Sequence, residues 1–228
     1  MNVETIAVKI AGDPRFTTNC YLISASVSSK DVAIIDPGDE PELILERIGN
    51  RSLKAILITH GHYDHIGGVV RLAEATGAKI YVHADDATWI EESYDAIRDA
   101  FLHFAQRMNA RHKGYEAPDL TRQTPNIDFT LADGETLNVC DLSLLVMHTP
   151  GHSAGSVCFY HAKDGVLFSG DTLFKGTCGR TDFIGGSPQH MHDSLTRLSK
   201  LPPQTLVYPG HDVTTTIEEE LNRGLKEY

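Results

Sequence analysis

The chain has 228 residues, 41% of them hydrophobic and 22% charged, with a formal net charge of −11. That is long enough to bury a substantial core in the ordinary globular range. The acidic balance, with no Lys/Arg cluster, excludes the basic footprint that gripping nucleic acid requires.

No run is apolar for long enough to span a membrane, and Met1-Asn2-Val3-Glu4 lacks the basic-then-apolar opening of a signal peptide. Cys20, Cys140, Cys158 and Cys178 are scattered without C-x-x-C pairing, as in a reduced, cytoplasmic protein. One domain over residues 1–228 is expected.

In chain order, Thr18 to Ser24 and Val32 to Ile35 read as strands, the second ending in the turn Asp36-Pro37-Gly38. Leu43, Ile44 and Ile48 form a helical face after Pro41, a favoured early helix position. The apolar run Ala55-Ile56-Leu57-Ile58 then leads into Thr59-His60-Gly61-His62-Tyr63-Asp64-His65-Ile66-Gly67-Gly68. An apolar strand followed by a Gly-flanked turn opens into the crevice where α/β proteins carry sites. Three imidazoles and a carboxylate within six residues suit zinc and similar divalent ions. They are too many for one closed tetrahedral site that also recruits distant residues, so a pair of metals is expected.

Helical signal continues through Val69-Val70 and Leu72-Ala73 to Gly77, and Lys79 to Val82 is another strand. Ile97, Phe101, Phe104 and Met108 recur at amphipathic-helix spacing, with Trp89 and Ile90 on a preceding helix. Residues 85–113 thus make a helical insertion, either packed on the body or serving as a lid over the crevice. Phe129-Thr130-Leu131, Asp133-Gly134 and Glu135 to Val139 read as a hairpin, and Val157 to Tyr160 pairs with Val166 to Phe168 across Lys163-Asp164-Gly165 in a second.

The strand-then-ligand pattern recurs three times more: Leu144 to Met147 before Gly151-His152, Val166 to Phe168 before Gly170-Asp171, and Leu206 to Tyr208 before Gly210-His211. Met191, Leu195 and Leu198 mark a late helix, and Ile217, Leu221 and Leu225 the last. His83, His103, His112, His148, His161, His190 and His192 read as surface or core residues.

On these residues the chain resembles the metallo-β-lactamase superfamily. Its H-x-H-x-D-H motif stands as His60, His62, Asp64 and His65, and the later ligands are matched by His152, Asp171 and His211. Within that superfamily it is most similar to the glyoxalase II-like (hydroxyacylglutathione hydrolase-like) enzymes. The similarity rests on Thr18-Asn19-Cys20-Tyr21-Leu22, Gly170-Asp171-Thr172-Leu173-Phe174, Gly179-Arg180-Thr181-Asp182 and Tyr208-Pro209-Gly210-His211.

The resemblance implies an α/β (α+β) fold, the four-layer αββα sandwich, with the metals at one edge between two sheets. It implies one metal on His60, His62 and His152, another on Asp64, His65 and His211, and Asp171 bridging the two. The ions are two divalent metals, zinc in the first place, with iron and manganese also accepted by such ligands. Metal binding brings a bridging water's pKa from 15.7 to about 7, and the resulting hydroxide attacks a carbonyl. A thiolate leaves with little protonation, so the expected substrate is a thioester such as S-lactoylglutathione, or a related small acyl thioester or ester.

Asp64 also orients the nucleophile and shuttles its proton. Arg180 stands where relatives carry a basic residue that meets a glutathione carboxylate; the alternative is an ion pair with Asp182. Tyr63 either lines the pocket or packs beneath it, Asp36 and Asp182 either hold ligand imidazoles or serve as turn residues, and Cys178 lies on the Arg180 loop. After His211 only Thr214 to Tyr228 remain, without the long C-terminal helical extension of the glutathione thioesterases, so another thiol carrier stands beside glutathione. The rival reading is a persulfide dioxygenase-like enzyme holding a single iron through His60, His152 and Asp171.

Overall fold

The computed structural model describes residues 1–10, 15–109 and 123–225, without the side chains of Phe101, Phe104, Ala105, Met108 and Asn109. In its first half lie strands β1 (Asn2–Lys9), β2 (Thr17–Ser24), β3 (Asp31–Ile35), β4 (Ser52–Leu57), β5 (Lys79–His83) and β6 (Phe129–Leu131), with helices α1 (Pro41–Ile48), α2 (Tyr63–Ile66), α3 (Val69–Thr76) and α4 (Ala84–Asn109). The second half holds β7 (Thr136–Val139), β8 (Leu142–His148), β9 (Val157–His161), β10 (Val166–Gly170), β11 (Leu173–Phe174), β12 (Thr177–Cys178), β13 (Leu206–Pro209) and β14 (Thr215–Thr216), with α5 (Pro188–Leu198) and α6 (Ile217–Asn222). One six-stranded sheet runs β1-β2-β3-β4-β5-β6 and the other β14-β13-β10-β9-β8-β7, while β11 and β12 form a small ribbon.

Side-chain alternation along the strands produces the layers. In β3, Val32 and Ile34 join Ile44, Leu72 and Ile90 in a core under the first helices. Their neighbours Ala33 and Ile35 turn to the opposite face and meet Leu144, Val157, Phe159 and Phe168 between the sheets. On the far side of the second sheet, Cys158, Leu167 and Val207 pack against Leu195, Leu198 and Ile217. Three cores separate four layers, so the expected αββα sandwich is observed. The strands β3 to β6 run parallel, and the C-terminal half of β4 is buried on both faces, which is why that segment reads as a continuous apolar run.

Three expectations change. First, residues 84–109 form one continuous helix, so Trp89, Ile90 and Ile97 share α4 rather than dividing between two helices. No Gly or Pro interrupts the chain from residue 84 to 109, so nothing local breaks the helix within that span. Ile90 and Ile97 pack into the first core; the side chains of Phe101, Phe104 and Met108, and residues 110–113, lie outside the described residues.

Second, Phe129–Leu131 and Thr136–Val139 do not form a hairpin. β6 pairs with β5 in the first sheet, and β7 with β8 in the second. The Asp133-Gly134 turn is real, with Gly134 at φ 75°, but it carries the chain from one sheet to the other. Third, Asn2–Lys9 is an additional edge strand, antiparallel to β2.

Candidate metal centre

Four loops at the carboxyl ends of β4, β8, β10 and β13 deliver the histidines and aspartates to one rim of the sandwich. His60, His65, His152 and Asp171 are buried. His60, His62 and His152 each present a nitrogen to a common point, and Asp64, His65 and His211 form a second such group; within each, the donor atoms lie no more than 4.8 Å apart. His62 Nδ1 is 2.8 Å from His152 Nε2. Asp171 lies between the groups, with Oδ1 3.4 Å from His65 Nε2 and Oδ2 3.4 Å from His152 Nε2 and 3.5 Å from His211 Nε2. Asp64 Oδ2 is 3.4 Å from His211 Nε2.

In His60, His65, His152 and His211 the opposite ring nitrogen is occupied, which fixes those imidazoles. His152 Nδ1 donates to the Arg180 carbonyl at 2.7 Å, and His211 Nδ1 to the Thr17 carbonyl at 2.8 Å. Asp36, buried at the end of β3, accepts the Thr59 amide at 2.8 Å, the Thr59 hydroxyl at 2.6 Å and His65 Nδ1 at 3.0 Å. With its proton committed to Asp36, the Thr59 hydroxyl oxygen accepts His60 Nδ1–H at 3.1 Å. One carboxylate therefore orients an imidazole of each group.

These bonds leave buried His60 Nε2, His65 Nε2 and Asp171 Oδ1 without hydrogen-bond partners. An orphaned buried polar atom costs about 1–3 kcal/mol, and here three face one another with lone pairs available. A divalent cation fits that donor set: neutral imidazole and carboxylate are its ligands.

The electrostatics divide the groups. Burial, reinforced by neighbouring imidazoles, holds His60 well below its ordinary pKa and takes His62 down to about 3. In the second group burial opposes charge but the carboxylates win: His65 is raised by Asp171, Asp36 and Asp64, and His211 is pushed up to about 12 by Asp171 and Asp64. Burial likewise works against Asp64 and Asp171, yet the facing imidazoles hold both carboxyls below the usual range.

Glycine is required where chain and ligands meet. A Cβ on Gly210 would run into Asp171 Oδ1 and stand 2.7 Å from His65 Cε1; one on Gly61 would lie 3.0 Å from Ile90 and 3.1 Å from Trp89.

The seven expected ligand-type residues meet at this rim. For Tyr63 and Arg180 the structure takes the second of the two alternatives. Tyr63 is buried in the first core, its ring 6.3 Å from that of Tyr94, and so packs beneath the loop rather than lining a pocket. Arg180 grips Asp182 through two hydrogen bonds of 2.9 and 2.7 Å; it is the Arg180 carbonyl that reaches the centre. Asp182 pairs with the Arg180 guanidinium, while the nearby His152 Nδ1 goes to the Arg180 carbonyl instead of to that carboxylate.

Asp86 was not expected. Buried at the start of α4, it accepts Gly61 N–H at 2.7 Å, the Ser153 hydroxyl at 2.8 Å and Gly155 N–H at 2.6 Å. It thus fastens the loops of His60-His62 and His152 to one helix, and its burial raises its pKa against those hydrogen bonds. Its only sequence signal is a position just after a strand, and a helix-start aspartate gives the same one. Asn19 is a similar case: its side-chain amide donates to the carbonyls of Pro209 and Asp212 at 3.0 and 2.9 Å, bracing the His211 loop from β2.

A third cluster, His83, Asp85 and His148, lies apart. Its two rings are stacked at 4.0 Å and 10°, so their in-plane lone pairs run side by side instead of converging. A cavity of about 160 Å³ opens beside the second group, lined by Ile10, Arg15, Phe16, Asp64 and His211 among others. The larger cleft, about 560 Å³ beside Lys79 and Asp128, has no histidine among its lining residues and lies outside both groups.

Residues 13–211 match the family model described as the Metallo-beta-lactamase superfamily. A hydroxyacylglutathione hydrolase of Ectopseudomonas mendocina (strain ymp) is 35% identical over 209 residues, 91% of this chain and 66% of that protein, so the chain spans about two thirds of that relative's length. Among solved structures, the BLEG-1 B3 metallo-beta-lactamase superposes with a TM-score of 0.77 at 31% identity, over 97% of each chain. TTHA1623 in a di-iron-bound form does so with a TM-score of 0.73 at 34% identity, over 97% of this chain and 98% of the other.

Proposed function

We infer the reaction from one fixed point: the chain belongs to the metallo-beta-lactamase superfamily. On that basis its function is that of a dinuclear metallohydrolase, with a thioester or a related small ester as substrate. The observation that carries this reading is the pair of ligand groups facing each other across Asp171, with His60 Nε2, His65 Nε2 and Asp171 Oδ1 unsatisfied between them. One divalent ion would be held by His60, His62 and His152 and another by Asp64, His65 and His211, with Asp171 in reach of both groups. Bound divalent ions supply an acidified water and Lewis acidity for a carbonyl oxygen.

The chain's own residues do the rest. Asp36 and the carbonyls of Arg180 and Thr17 keep four imidazoles in one tautomer and direction. Asp64 has the more accessible of the two central carboxylates, its side chain 25% exposed against 9% for Asp171. Held anionic, it orients the attacking water and accepts and relays its proton. The ionisable groups meeting in the two clusters are ligand types, so a leaving group that departs as an anion suits them, and a thiolate does so near neutral pH. Relatedness to a hydroxyacylglutathione hydrolase supports the same substrate class. Four free thiols accord with a reducing, cytoplasmic setting.

The deciding experiment measures hydrolysis of S-lactoylglutathione and a panel of acyl thioesters together with metal content. Thioester cleavage by protein carrying two ions per chain supports the reading, and Asp171→Ala should abolish it. Iron at one per chain, with oxygen uptake on glutathione persulfide and no hydrolysis, would replace it with the dioxygenase chemistry. Zinc, iron and manganese are separated by the same metal analysis.

A further inference from the structure

His62 sits between two aromatic rings from distant parts of the chain. Trp89, on α4, stands edge-on to the His62 imidazole at 5.6 Å, and Phe183, in the loop after β12, at 5.0 Å. Phe183 also lies 5.6 Å from His152. Phe183 is 42% exposed and its neighbour Ile184 82% exposed, and neither belongs to any of the three cores. Adjacent large apolar side chains exposed beside a candidate ligand histidine gain little from burial, and exposed apolar patches mark binding sites.

The cation against Phe183 does not alter this character. The Arg180 guanidinium is doubly bonded to Asp182 and lies 4.7 Å over the Phe183 ring. Its charge is already met, and its flat face extends the aromatic surface.

We propose that Trp89 and Phe183 form a specificity wall on the His62 side of the centre, and that the substrate group laid against it is apolar and uncharged. The inference rests on the thioesterase reading for the bond cleaved, but on ring geometry alone for the wall. It names the substrate class as thioesters carrying an alkyl or aryl group on that side, in preference to a carboxylate-bearing one.

Two substrate series test it on the metal-loaded protein: acetyl, hexanoyl, phenylacetyl and glutaryl thioesters of N-acetylcysteamine, and acetyl thioesters of ethanethiol, hexanethiol and 3-mercaptopropionate. Each buried methylene is worth roughly a fourfold preference. In at least one series kcat/KM should rise about tenfold or more with apolar length, the carboxylate-bearing member should gain nothing, and Phe183→Ala should reduce the long-to-short ratio about fivefold.

A binding readout stands beside turnover, because Trp89 is the chain's one tryptophan. Its fluorescence should respond to hexanoate at a concentration about tenfold or more below that needed for acetate or glutarate, and Phe183→Ala should remove that advantage. If thioesters are cleaved but neither series nor the fluorescence shows a preference, the wall falls and the hydrolase reading stands. If no thioester is cleaved while the hexanoate preference persists, the wall stands and the thioester reading falls. Equal responses to all three acids overturn the proposal whatever the turnover.

Discussion

Asp86 Oδ2 accepts the Ser153 hydroxyl at 2.8 Å while also accepting Gly61 N–H at 2.7 Å, so one carboxylate ties together two histidine-bearing loops that are far apart in sequence. Replacing it with Ala strands two buried amides, those of Gly61 and Gly155, at about 1–3 kcal/mol each. Asp86→Ala should therefore lower the unfolding free energy of the metal-free protein by about 2–6 kcal/mol. It should weaken the ion held by His60, His62 and His152 more than the other. Denaturant titration and competitive metal titration read the two effects; equal weakening of both ions would count against the loop-fastening role.

Asp36 acts through Thr59 on one group and directly on His65 in the other. Losing an outer partner of metal-binding imidazoles costs about 10–100-fold in affinity or activity. Asp36→Ala should weaken both ions by that order, whereas Thr59→Val should act mainly through His60. A Thr59→Val protein with unchanged affinity at both sites would show that the hydroxyl link carries no orienting force.

Asp171 is the residue shared by the two groups. Asp171→Ala should lower thioesterase activity more than a hundredfold, beyond the 10–100-fold range of outer partners, and reduce metal content below two ions per chain. Retention of near-normal turnover would be incompatible with a shared bridging role.

Proton release should distinguish the two groups. In the metal-free chain His60 and His62 are neutral at pH 7, whereas His211, raised to about 12, is cationic, and His65 is shifted in the same direction. A metal must displace the proton of His211, whereas His60 and His62 have none to lose. Affinity at the second group should fall about tenfold per pH unit of acidification for each proton displaced. Calorimetry in buffers of different ionisation enthalpy counts the protons; identical pH dependence at both sites would refute the assignment.

Much of this was legible locally. A strand ending in Gly-flanked His or Asp is a short-range pattern, and His60, His152, Asp171 and His211 announce themselves through it. Asn19 falls in a recognisable segment, yet its task depends on carbonyls 190 and 193 residues away. Asp86 carries no local mark that separates a loop brace from a helix start. Gly134 signals its turn correctly, but turn chemistry does not say which sheet each flanking strand joins, and β6 and β7 part company there. Arg180 shows the opposite limit, since its residue type suggested a grip on substrate while the structure uses its carbonyl.

Each ligand group draws from both sheets. His60 and His62 follow β4 and His152 follows β8; Asp64 and His65 follow β4 and His211 follows β13. Any cation seated there is a cross-brace between halves of the sandwich, and its binding energy adds to the resistance of the whole shell to opening, by about 2.7 kcal/mol at a hundredfold excess over Kd. A variant silenced in catalysis but intact in its ligands should still melt higher when metal is added, so the rim serves as a clasp independently of turnover.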